Sequence, residues 1–169
     1  MIVEKAGMED VDALVRMRID YLIEDNGGLD DRDLAFIQRE LLGYFQAHLG
    51  KDLVAYVIRD RQTVVSCAFL LTVEKPMSPA FINGKTGIVL NVYTCPPYRR
   101  KGYAKMAMET LLEGARETGI TVIELKATED GYPLYRSLGF TDDDSGYHMM
   151  KWKNQTFKQA FAVEQRKNL

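Results

Sequence analysis

The chain has 169 residues, a length that fits one domain. With 46% hydrophobic and 27% charged residues it can build a real core, and a net charge of −2 argues against nucleic acid as the main partner. Two cysteines, Cys67 and Cys95, and two distant histidines, His48 and His148, are too sparse for a metal site. No apolar signal core opens the chain and no apolar run reaches a membrane span, so a soluble, cytoplasmic protein without metal or membrane association is expected.

In chain order, Ile2 to Ala6 reads as a short first strand. Val11, Leu14, Val15 and Leu22 recur at helical spacing and predict a helix from about Glu9 to Asp25, broken by Gly27-Gly28. A second helix starts at Asp30 or Asp31, either of which can cap it, and runs to Gly50 with Leu34, Ile37, Leu41, Tyr44, Phe45 and His48 on its apolar face. Leu53 to Ile58 and Val64 to Val73 read as strands joined by a turn at Asp60-Arg61-Gln62. Gly87 to Thr94 is apolar and β-branched, a central strand. A helix with Ala104, Ala107, Met108, Leu111, Leu112 and Ala115 on one face follows, closed by Gly119. Thr121 to Ala127 reads as a strand, Tyr132 to Leu138 as a short helix and Tyr147 to Trp152 as the last strand. The polar tail, residues 153–169, carries Phe157 and Phe161 and reads as a terminal docking helix or a loose end, which leaves a homodimer open. The division expected is one domain over 1–152 and a tail over 153–169, of mixed α/β class.

The most informative stretch runs from Val92 to Ala104. A buried strand ends, a tight loop carries Arg99, Arg100 and Lys101, and a helix opens on Gly102, Tyr103, Ala104 and Lys105. The first turn of a helix leaves N–H groups unpaired at the positive end of its dipole, where a pyrophosphate can sit. Gly102 and Ala104 permit close approach. A solvated basic turn would have the same composition, but the strand before and the strong helix after favour the phosphate reading.

The run Leu134-Tyr135-Arg136-Ser137-Leu138-Gly139-Phe140 lies one helix and one strand further on. Together the Arg-x-x-Gly-x-Ala loop and this run resemble the two signature motifs of the GNAT N-acetyltransferases. The motifs cover roughly residues 87–140, and the element order extends the likeness to most of the chain. The resemblance implies a mostly antiparallel central sheet flanked by helices, with a splayed central strand pair that holds acetyl-CoA as co-substrate. It implies pantetheine contacts from Val92, Tyr93 and Thr94, and pyrophosphate contacts from Arg99 to Lys105. Thr128 stands where the family often has Asn and can still donate a hydrogen bond to CoA. Tyr135 matches the tyrosine that often protonates the departing thiolate, chemistry suited to a phenol.

The expected reaction is direct attack of a primary amine, on a small molecule or a protein, on the thioester. Tyr21, Glu24 and Asn91, with Arg18 and Asp25 nearby, are the candidates for orienting the acceptor, although acids at a helix end are mostly solvated. A non-catalytic acyl-CoA-binding sensor or interaction module is the competing class; it needs the loop but not Tyr135. An ordinary nucleotide-binding domain ranks last, because the loop lacks both Gly-Lys-Ser/Thr and a full Gly-x-Gly-x-x-Gly.

Overall fold

The computed structural model describes residues 1–154. Its strands are β1 (Val3–Lys5), β2 (Leu53–Asp60), β3 (Thr63–Glu74), β4 (Lys85–Thr94) and β5 (Val122–Glu124). Its helices are α1 (Val11–Asn26), α2 (Asp31–His48), α3 (Tyr103–Glu117) and α4 (Tyr132–Ser137). The strands form one sheet in the order β1-β2-β3-β4-β5. All neighbours are antiparallel except β4 and β5, which run parallel because α3 carries the chain back across the sheet.

Local chemistry sets the helix ends. The Asp30 carboxylate accepts the N–H groups of Arg32 and Asp33 at 3.0 and 2.9 Å and caps α2. Gly27, with φ +68°, ends α1 in the left-handed conformation that glycine adopts without cost.

The sheet separates two apolar layers. On one face α1 and α2 bury Leu14, Met17 and Phe45 against Leu53, Ala55, Val57, Cys67, Phe69 and Tyr93. On the other, α3 buries Ala107, Met108, Leu111 and Ala115 against Tyr56, Ala68, Leu70 and Val89, with Tyr135, Leu138 and Phe140 packed at the margin. Each large side chain so buried contributes about 1.5–3 kcal/mol. Gly114 on α3 is there for space: a Cβ would stand 1.9 Å from the Tyr56 hydroxyl.

Two expectations need correction. The strand expected over Thr121 to Ala127 is shorter, Val122–Glu124, and pairs only with Thr86, Gly87 and Ile88. Tyr147 to Trp152 forms no strand: it has no ladder partner among the described residues, and Tyr147, Met149, Met150 and Trp152 are each more than four-fifths exposed. Alternating apolar residues favour a strand only where a sheet edge receives them, and the preceding Asp142-Asp143-Asp144-Ser145-Gly146 run turns the chain on itself, with the Ser145 N–H on the Asp143 carboxylate. The tail helix expected around Phe157 and Phe161 lies outside the described residues.

Candidate functional site

The site begins where β4 outgrows its partner. The β4–β5 ladder stops at Ile88, so from Val89 to Thr94 one edge of β4 has no strand beside it among the described residues. Three positions further on β4 carries a bulge. Cys67 pairs with Tyr93 but Phe69 pairs with Leu90, so Asn91 and Val92 together face one residue of β3. Asn91 takes a φ of +52° to do this. A bulge bends its strand and strengthens the local twist, and the gap beside β4 beyond Ile88, which β5 does not fill, is the candidate cleft. The expected splayed pair is therefore β4 and β5, with Val92, Tyr93 and Thr94 on the open stretch.

The loop after β4 leads directly into α3. Pro96, Pro97 and Tyr98 make one tight helical turn, Arg100 has φ +61°, and Gly102 has φ +81° as the residue before the helix. The hydrogen-bond ladder of α3 starts with the Met106 N–H on the Gly102 carbonyl at 3.0 Å. The N–H groups of Tyr103, Ala104 and Lys105 consequently have no acceptor within the helix, and no side chain caps them. A Cβ on Gly102 would meet nothing within 4 Å, so the space over this helix end is open. Arg100, Lys101 and Lys105 are exposed around it.

Of the three non-glycine residues with left-handed φ among those described, Arg61 lies in the β2–β3 turn, whereas Asn91 and Arg100 flank this cleft and helix end. Such conformations cost on the order of 1–3 kcal/mol and gather at ligand sites. Nothing in residue type announces them, and the sequence reading missed this feature.

Arg99 is used differently from its loop neighbours. Its guanidinium donates to the Glu24 carboxylate at the end of α1 and to the Thr94 carbonyl, and lies over the Tyr93 ring at 5.6 Å. The Arg99 contact holds the Glu24 carboxyl below its usual range, with weaker help from the Tyr93 hydroxyl. Burial, followed by the Glu24 charge, raises the Tyr93 phenol. Tyr21 meets Tyr93 edge-on, ring centroids 6.4 Å apart. Tyr21, Glu24, Tyr93 and Arg99 thus form one cluster on the α1 face of the cleft. Asn91, 6% exposed, donates to the Cys67 sulfur and accepts from Arg18 at 3.2 Å.

Tyr135 approaches from the other face. Its ring packs edge-on to Phe140 at 6.0 Å, within the layer that also holds Val92. Burial first, then the nearby Tyr21 phenol, raises its pKa. No protein hydrogen bond to the Tyr135 hydroxyl is formed among the described residues. Thr128 is committed to the turn before α4: its hydroxyl oxygen accepts the Gly131 N–H at 3.1 Å, while its carbonyl accepts that of Tyr132. Its hydroxyl proton remains available to a ligand.

Comparison with known proteins identifies the family. The model of the acetyltransferase (GNAT) family matches residues 14–140. A predicted acetyltransferase from Clostridium acetobutylicum, whose crystal structure was determined with acetyl-CoA, is 30% identical, with 88% of this chain and 94% of that one covered and a TM-score of 0.76. A GCN5-related N-acetyltransferase from Ralstonia eutropha JMP134 is 25% identical over 89% of this chain and 97% of its own, also at 0.76. An uncharacterized N-acetyltransferase, ycf52, of Porphyra purpurea is 33% identical over 70 residues, which span 41% of this chain and 40% of that relative. With its family model matched across most of its length, the chain belongs to the GNAT acetyltransferase family.

Proposed function

We propose that the protein is an N-acetyltransferase that moves an acetyl group from acetyl-CoA to a primary amine by direct attack. The observation that carries the reading is the convergence of a strand edge that is unpaired among the described residues, an uncapped helix start ringed by basic residues, and a half-buried phenol with no hydrogen-bond partner among the described residues. The backbone from Tyr103 to Lys105 would receive the pyrophosphate, assisted by Arg100 and Lys101. The open edge of β4 at Val92, Tyr93 and Thr94 would hold the pantetheine arm by main-chain hydrogen bonds, and the Val92 N–H would steady the developing oxyanion. Tyr135 would give its proton to the departing thiolate; its raised pKa keeps that proton in place at neutral pH. Tyr21, Glu24 and Asn91 would shape the acceptor side, and water in the cleft could take the amine's proton.

The working unit in this reading is residues 1–152, with the family match at its centre and the tail as an addition. We place the protein in the cytoplasm. No helix among the described residues is long and apolar enough to cross a membrane.

The test has two parts. Acetyl-CoA should raise the melting temperature, by the equivalent of about 2.7 kcal/mol at a hundredfold excess over Kd. A panel of primary amines should then release CoA in an acceptor-dependent way. An acyl-CoA-binding module would show the first effect without the second. Absence of both would remove the acetyl-CoA site itself.

A further inference from the structure

Arg18 lies on the apolar stripe of α1, one turn beyond Leu14 and beside Met17, both fully buried. A cation at such a position requires compensation. The other arginines of the described chain are either solvent-exposed or joined to a carboxylate: Arg59 to Glu4 and Asp10, Arg99 to Glu24, Arg16 to Asp20. Among the described residues Arg18 is alone in being partly withdrawn from solvent with no carboxylate within 4.0 Å. Among the described residues its hydrogen bond is a single one, to the Asn91 side-chain oxygen at 3.2 Å, and its guanidinium lies over the Tyr21 ring at 5.3 Å. Burial lowers its pKa, outweighing the through-space effects of Tyr21, of Asp25 two turns on along α1, and of Tyr44 of α2. Among the described residues no buried side-chain nitrogen lacks a partner, so the remaining Arg18 donors are within reach of solvent.

A guanidinium presents a planar fork that matches a carboxylate with two parallel hydrogen bonds. This one is part-desolvated, oriented by Asn91 and Tyr21, and without a carboxylate at ion-pair distance among the described residues. Through Asn91 it is fastened to the bulge of β4, one residue from Val92 at the open edge. Resting on the acetyltransferase reading above, we propose that Arg18 receives a carboxylate carried by the acceptor, so that the substrates are amines bearing an acid group a few bonds from the nitrogen.

The experiment compares L-amino acids and β-alanine with their own carboxamides as acceptors, following CoA release, with acetyl-CoA affinity measured in parallel by calorimetry. The wild type should favour the acids at least about tenfold in kcat/KM, as expected when a charged hydrogen bond is lost. Arg18→Gln should erase that preference mainly through the acceptor KM, with acetyl-CoA affinity unchanged, and Arg18→Lys should restore part of it. Equal use of acids and amides, or use of neither by a protein that binds acetyl-CoA, overturns the proposal. So does an Arg18→Gln variant that loses both acceptor types equally, since Arg18 would then serve only to hold Asn91. If Arg18→Gln does not fold, the wild-type comparison decides alone. Failure of the wild type to bind acetyl-CoA would remove the acetyltransferase reading, a result separate from any of these.

Discussion

The Arg99 guanidinium is bonded to the Glu24 carboxylate 2.5 Å away, joining the loop before α3 to the last turn of α1. One basic residue of the loop is thereby turned from the helix start toward the proposed acceptor side. Arg99→Ala should therefore raise the acceptor KM more than it weakens acetyl-CoA binding, whereas Lys101→Ala should do the reverse; initial rates and calorimetry separate the two.

The same pair has a pH signature. The Glu24 carboxyl is held below its usual range, so its contribution is present above the ordinary carboxylate pKa and is lost as pH falls through the lowered one. Both groups are substantially exposed, which limits the pair to at most about 1 kcal/mol. Urea melts should show Glu24→Gln slightly less stable than wild type at neutral pH, with the gap closing in acid. A gap that widens in acid would refute the assignment.

Gly102 separates two kinds of damage. Its φ of +81° strains any other residue, while the space above it is open. Gly102→Ala should lower stability by about 1 kcal/mol, the usual scale for such a position. Gly102→Glu should carry a similar stability cost and in addition lose acetyl-CoA binding, because its carboxylate would stand at an anion site. Thermal melts with and without acetyl-CoA on both variants give the answer.

Tyr135→Phe keeps the ring on Phe140 and removes only the hydroxyl. A positioned general acid contributes about 10²–10⁴-fold, so single-turnover rates should fall at least about tenfold while acetyl-CoA affinity stays near wild type. The loss should shrink with an acyl donor whose thiol leaves more readily. Wild-type turnover in the variant would make Tyr135 a packing residue and leave the CoA site untouched.

Cys67 is fully buried and its thiol is pushed up to about 12 by burial, against the opposing hydrogen bond of Asn91. It should resist iodoacetamide in the native protein and react once the chain is unfolded in urea. Mass spectrometry of the two labelled states checks this; rapid native labelling of Cys67 would show that the β3–β4 bulge opens readily.

Much of this molecule was legible before folding because its signals are local. The Asp30 cap, the Gly27 stop and the stripe Ala107, Met108, Leu111 and Ala115 are properties of adjacent residues, and the helices start, end and face the sheet accordingly. The Arg99 to Lys105 loop and the Leu134 to Phe140 run were also readable, since a helix start between strand and helix has a local composition. The failure at Tyr147 to Trp152 has the complementary cause: alternation is local, but a strand exists only if an edge elsewhere accepts it. Tertiary structure alone decided the rest. The β4 bulge depends on register with β3, the cleft on β5 being too short to follow β4, and the turning of Arg99 toward Glu24 on two segments 75 residues apart. Arg18 is the sharpest case: the sequence sets it near the acceptor candidates, but only packing shows that it bonds to Asn91 and meets no carboxylate within 4.0 Å among the described residues.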